Sequence, residues 1–253
     1  MSGQKICLNG NEIYYEKHGT GRRAILMMPG GTGSIDTDMR PLLSVMSKSK
    51  YTIIAMDPVG YGKSRPPARD YSKGVQLYKM DAAIGVDLMR SLGYSSFDWI
   101  GWSDGGRVGL VAAIGFPSRI DRLVIWGSAA RVTARQQLAL EAARDLSIWD
   151  PSRRQAFIDE YGSPQAATHI WGLHVDYYKT LGNICEEDIG KIRCPTLVLH
   201  GDRDPIEKSL VQEMVKQISD SEFHSFPDAG HATHIDKNRE FVKVVENFLD
   251  QDL

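Results

Sequence analysis

The 253-residue chain reads as a doubly wound α/β fold, a mostly parallel sheet flanked by helices. Three observations lead there. Short apolar runs end in Gly, Asp, Ser or Pro, as buried parallel strands do on leaving a sheet. Helical repeats fall between those runs. One long interval carries helical patterns and no strand.

Ile6 to Leu8 and Ile13 to Lys17 open the chain as two strands joined through NGN, a strong hairpin signal. The runs that follow are AILMMPG (24–30), YTIIAMD (51–57), FDWIGW (97–102), LVIWGS (123–128) and TLVLHG (196–201), with a weaker one, EFHSFP (222–227). Between them, Met80, Ile84, Leu88 and Leu92 recur every fourth residue and predict a helix with one apolar stripe. Val108, Val111 and Ala112 predict a second helix, and Phe241, Val244, Val245 and Phe248 a third at the C-terminus. From Ala129 to Arg193 only helical stretches occur, too long to be a loop. The expected division is a sheet-bearing core over 1–128 and 194–253 with a helical cap inserted at 129–193. Trp149, Tyr161, Trp171, Tyr177 and Tyr178 lie in that insertion, aromatics of a kind that more often packs a core than touches a ligand.

Lys and Arg number 30 against 32 for Asp and Glu, and the charges are scattered. No nucleic acid or membrane partner is expected from such a balance. No run approaches the roughly 18 apolar residues of a membrane span. The N-terminus lacks the apolar core of a signal peptide, so an intracellular, cytoplasmic protein is expected, or a mitochondrial one whose leader has been removed. Cys7, Cys185 and Cys194 are widely spaced, form no C-x-x-C and fit inert thiols in a reducing compartment.

Open α/β sheets place their sites at the carboxyl ends of the strands. Those ends carry Gly30 and Gly31, Asp57, Ser103 and Asp104, Gly127 and Ser128, Asp202 or Asp204, and His231. Gly101, Ser103 and Gly105 form a G-x-S-x-G between a predicted strand and a predicted helix, the setting that presents a nucleophilic serine on a sharp turn. A hydroxyl is a poor nucleophile until a positioned base takes its proton and an acid orients that base. His231, in PDAGHATH after the last strand, is the expected base. His234 lies three residues on at the approach to the final helix, and His224 sits within a strand. In HGDRDP, Asp204 is followed by Pro205 and suits a fixed loop reaching the histidine, which leaves Asp202 as a turn residue. The order Ser, Asp, His is that of α/β-hydrolases. The backbone N–H of Asp104 and of Gly31, in PGGTGS, are the expected oxyanion donors.

Two other patterns fall away. GYGKS (60–64) ends like a phosphate-binding loop, but Asp57 stands where that loop needs its first glycine. His231 and His234 lack the third ligand and spacing of a metal site, so no metal and no cofactor are expected. Asp104 remains to be explained. An acid at a helix start is favoured by the helix dipole, yet it sits where an oxyanion would develop. It is either helix-start chemistry or the receptor for a positive charge on the substrate.

DPVGYGKSRPPARDY, GWSDGG, VIWGSAARVT, GNIC, CPTLVLHGDRDP and GHATH together carry a resemblance. Over nearly its full length the chain resembles the α/β-hydrolase superfamily, and within it the valacyclovir hydrolase group, also called biphenyl hydrolase-like proteins. The resemblance implies a serine hydrolase that releases amino acids from α-amino acid esters through Ser103, Asp204 and His231. It also implies that Asp104 receives the substrate's α-amino group. Val59 stands where the superfamily often has Arg, and Pro29 where many members have His. The competing expectations are a general carboxylesterase or C–C bond hydrolase of the same fold, or a binding protein that keeps the scaffold without activity.

Overall fold

The computed structural model describes residues 3–251, so the two outermost positions at each end of the expected core lie outside the description. In chain order the elements are β1 (Gln4–Leu8), β2 (Asn11–His18), β3 (Arg23–Met28), α1 (Arg40–Val45), β4 (Tyr51–Met56), α2 (Gln76–Ser91), β5 (Phe97–Trp102), α3 (Asp104–Gly115) and β6 (Ile120–Trp126). Then come α4 (Ala134–Ala142), α5 (Pro151–Tyr161), α6 (Pro164–Lys179), β7 (Thr196–Gly201), α7 (Lys208–Gln217), β8 (Ser221–Phe226), α8 (Thr233–Asp236) and α9 (Asn238–Leu249).

The strands form one eight-stranded sheet in the order β1-β2-β4-β3-β5-β6-β7-β8. The first two strands pair antiparallel, β2 also runs antiparallel to β4, and every later pairing is parallel. Successive residues of the central strands supply opposite faces, as a strand's two-residue period requires. Leu26 and Met28 of β3 pack with α2 and α3, whereas Ile25 and Met27 pack with α1 and α9. Trp99 and Ile100 of β5 divide in the same way. Both faces are covered, so β3 to β7 read as continuous apolar runs rather than alternating ones. The chain leaves β3 toward β4 on one side and β5 toward β6 on the other. The point where this direction reverses, between β3 and β5, opens the crevice that open α/β sheets use for ligands.

The strands expected from sequence all form, including the weak run at β8, which lies at the sheet edge. Met80 departs from expectation. It stands 44 % exposed, and the buried side of α2 runs through Leu77, Ile84 and Leu88. The fourfold repeat drifts around a helix of 3.6 residues per turn, so its first member rotates out to solvent. Leu92 falls just beyond the helix, as its C-cap.

Between β6 and β7 the chain runs through α4, α5 and α6 with no strand, only an isolated bridge between Arg131 and Asn183. Leu146, Phe157, Tyr161, Ala167, Trp171 and Val175 form a hydrophobic cluster of their own there. α5 and α6 each begin with Pro behind a capping side chain, Asp150 and Ser163, the usual N-terminal chemistry. Cys185 and Cys194 are buried, and burial pushes their thiols up to about 12 and about 11, away from the reactive thiolate.

Candidate active site

Ser103 follows β5 with φ 53° and ψ −116°, in the region side chains avoid. The turn needs its flanking glycines. A Cβ on Gly101 would meet the Gly105 carbonyl oxygen at 2.2 Å, and one on Gly105 would meet the Met28 carbonyl oxygen at 2.4 Å. Strain of this kind persists only where surrounding structure over-determines it. Here the Ser103 amide is tied to the Trp126 carbonyl of β6 at 2.9 Å, and α3 begins at once.

The turn aims the Ser103 hydroxyl at His231, whose Nε2 lies 3.1 Å from Oγ. The other ring nitrogen, Nδ1, stands 3.1 Å from each carboxylate oxygen of Asp204. Burial alone would raise the Asp204 carboxyl, but the facing imidazole and the Ile206 amide hold it below its ordinary range. It is therefore an acceptor, and Nδ1 carries the proton. The Asp204 side chain is fully buried while His231 keeps 27 % of its side-chain surface, one end anchored and the other open. The competing acids and histidines sit elsewhere. Asp202 is exposed and bonds Lys208 and Ser225. His234 is buried between the indole N–H of Trp126 and the Asp38 carbonyl. His224 lies in β8.

Gly30 and Gly31, just past β3, lie against the serine. A Cβ at Gly30 would stand 3.4 Å from that of Ser103. At Gly31 it would strike His174 Cε1 at 2.3 Å and Asp104 Oδ2 at 2.6 Å, so only glycine fits. Among the described residues, neither the Gly31 nor the Asp104 amide donates to another protein group. In GYGKS, the Lys63 amide donates to Asp57, which also takes the Ile35 amide and so clips two loops together.

Asp104 opens α3, and its carboxylate is used on one side only. Oδ1 accepts from the hydroxyls of Tyr78 at 3.0 Å and Tyr178 at 2.7 Å, and from Arg107 Nη1 at 3.1 Å. Oδ2 has none of these bonds and faces Gly31 and His174. Burial opposes its charge, but Arg107 and the two hydroxyls outweigh that and hold the carboxyl below its usual range. The group is an ionised carboxylate with one uncommitted oxygen beside the serine loop.

A cavity of about 350 Å³ joins these parts. Gly31, Ser103, Arg107 and His231 come from the sheet side; Gln136, Trp149, Trp171, His174 and Tyr178 come from the 129–193 segment. Three of the five aromatics expected to be mainly core, Trp149, Trp171 and Tyr178, thus line the cavity as well as pack. Tyr177 and Tyr161 are buried beside them. Sequence reasoning also missed Tyr78, Arg107, Gln136 and His174. The available signal was Arg107, one helical turn beyond Asp104 and therefore on the same face of α3.

Known proteins resemble the chain along most of its length. A model of the alpha/beta hydrolase family matches residues 25–244. The chain belongs to that family. It is 36 % identical to the human protein named Serine hydrolase BPHL, over 98 % of this chain and 87 % of the relative. It is 28 % identical to a 2-hydroxy-6-oxo-2,4-heptadienoate hydrolase of Pseudomonas putida, over 98 % of this chain and 96 % of the relative. Its fold superposes on the crystal structure of an enol-lactonase from Burkholderia xenovorans LB400 with a TM-score of 0.79 and 20 % identity, covering 98 % of this chain and 100 % of that one. As a member of the family, the chain is an enzyme, a serine hydrolase. Among the described residues, no helix is long and apolar enough to cross a membrane.

Proposed function

We propose that this hydrolase cleaves α-amino acid esters through an acyl-enzyme, with Ser103 as nucleophile, His231 as base and Asp204 as the acid that orients it. His231 Nε2 takes the proton as Oγ attacks the ester carbonyl, and returns it to the departing alcohol. The Gly31 and Asp104 amides stabilise the oxyanion. Water, deprotonated by the same nitrogen, then releases the amino acid. The 129–193 segment acts as a cap over the acyl pocket, and the free Oδ2 of Asp104 receives the substrate's ammonium group. The observation that carries the reading is the pairing of a Ser–His–Asp relay with an ionised carboxylate that keeps one free oxygen against the Gly31 loop. Dependence on a free amine is its test. Initial rates on matched esters with free, acetylated or absent α-amino groups should fall steeply once the amine is blocked; equal rates would leave a general carboxylesterase. That second reading has one observation in its favour: Arg107 already sits on Asp104 and offsets its charge.

A further inference from the structure

The loop that carries the Gly31 amide is held in a conformation that its own residues resist. The Gly33 amide donates to the Gly30 carbonyl at 3.2 Å and closes a β-turn over 30–33. Thr32, third in that turn, has φ 62°, where turns call for glycine and a β-branched side chain is strained. It is nevertheless buried, at 2 % exposure. A flip of the Gly31–Thr32 peptide is the route back to a negative φ, and it re-aims the residue that supplies the proposed oxyanion donor. Strain of this kind persists only where the surroundings over-determine it.

Two side chains from outside the turn supply that support. Asp38, just ahead of α1, accepts the Gly30 amide on Oδ2 at 3.0 Å. It fills the inside of the turn so closely that a Cβ on Gly33 would stand 1.8 Å from the same oxygen. Tyr161 comes from the 129–193 segment. Its hydroxyl donates to the Thr32 carbonyl at 2.8 Å, a buried bond between positions 129 residues apart. Among the described residues no other donor meets that carbonyl. Next to Tyr161, Glu160 accepts from the Ser34 hydroxyl at 2.8 Å, and Arg65 lies over the Tyr161 ring at 4.4 Å while donating to Glu160. The last turn of α5 is thus tied to the loop on both sides of Gly33. Tyr161 does not line the cavity beside Ser103, so its hydroxyl reaches the chemistry only through the loop.

We propose that Tyr161 is a positioning residue for the oxyanion hole: α5 holds the Gly31 donor in place through the Thr32 carbonyl. This rests on the assignment of Gly31 as an oxyanion donor and is independent of amine recognition, so the test uses an amine-free ester, p-nitrophenyl butyrate. Tyr161→Phe keeps the ring and removes one hydroxyl. Per site titrated with a fluorophosphonate, its kcat should fall about 10-fold or more, short of the roughly 10²- to 10³-fold lost with a whole oxyanion donor. Acylation and deacylation both build an oxyanion, so KM should stay within about twofold. Phenylboronic acid, which bonds the Ser103 oxygen as a tetrahedral anion, should bind more weakly by a factor similar to the loss in kcat. Tyr51→Phe removes another buried tyrosine hydroxyl, one that bonds Asp250 where β4 begins, and should move none of these. A merely structural role for Tyr161 would lower its melting temperature and leave kcat and boronate affinity at parental values, which overturns the proposal. Equal losses in Tyr51→Phe overturn it too. If phenylboronic acid fails to inhibit the parent enzyme, the oxyanion assignment falls and takes the role of Tyr161 with it. If it inhibits the parent and Tyr161→Phe equally, the role of Tyr161 falls alone.

Discussion

Arg107 Nη1 lies 3.1 Å from Asp104 Oδ1, one turn along the helix that starts at the serine turn. The pair is enclosed, so the Arg107 charge helps keep the Asp104 carboxylate ionised, and the carboxylate in turn compensates a buried cation. Asp104→Ala should therefore act twice. Removing a charge-assisted contact to the substrate amine should cost about 10- to 200-fold in kcat/KM on α-amino esters, with N-acetyl esters unaffected or faster. Leaving Arg107 buried and unpaired should also cost about 3 kcal/mol of stability. Rates normalised by active-site titration, beside a thermal melt, separate the two effects. If the ratio of free-amine to acetylated rates does not move, Asp104 is helix-start chemistry alone.

Ser103 combines the position of the proposed nucleophile with a strained backbone, and its variants should separate the two properties. Ser103→Ala and Ser103→Gly should both abolish turnover and labelling by a fluorophosphonate, since the covalent step needs the hydroxyl. Glycine adopts the φ of 53° without a Cβ penalty, so Ser103→Gly should be more stable than Ser103→Ala by about 1 kcal/mol. Chemical denaturation of the two variants checks this, and equal midpoints would mean the turn holds no strain.

The two acids after β7 should part company. Asp204→Asn would let His231 take the wrong tautomer and lower kcat by on the order of 10³- to 10⁴-fold. Asp202→Asn loses only exposed contacts to Lys208 and Ser225 and should stay within about 0.5 kcal/mol of the parent in stability and close to it in rate. The reverse ranking would move the acid's role to Asp202.

His234 predicts a pH dependence of stability. Burial lowers it to about 3 from an ordinary 6.5, and the Trp126 N–H already occupies its Nδ1 lone pair, so a second proton has nowhere to sit. The unfolded chain takes up that proton below its ordinary value while the folded chain does not. Stability from this group is thus full above about pH 6.5 and is lost progressively as pH falls toward 3, by up to about 1.4 kcal/mol per pH unit. Denaturant midpoints between pH 7 and 4 should fall, and more gently in His234→Gln. Identical slopes would mean the histidine protonates freely in the folded state.

Much of the hydrogen-bonded arrangement of Ser103, His231 and Asp204 was legible in the sequence, because each part carries a local signature. A strand run, a glycine-flanked serine and an apolar helix announce the turn at Ser103 within a few residues. HGDRDP and PDAGHATH each follow a strand run, so their chemistry falls at the same end of the sheet as the serine. Met80 marks the limit of that method: a stripe read on a fourfold repeat overshoots the 3.6-residue turn, and packing alone decides which residue rotates outward.

The sequence by itself determined the α/β class, the strand order along the chain, the positions of Ser103, Asp204 and His231 at the strand ends, and the need for glycine around the serine. Those follow from periodicity and backbone sterics, which are properties of neighbouring residues. The surroundings of Asp104 were decided only in three dimensions. Tyr78 and Tyr178 reach it from 26 and 74 residues away, and Gln136 meets Arg107 across 29. Whether an acid beside Ser103 is bare, paired with a cation or half-committed to hydroxyls depends on those distant partners, and no local pattern encodes which side chains the 129–193 segment lays against it.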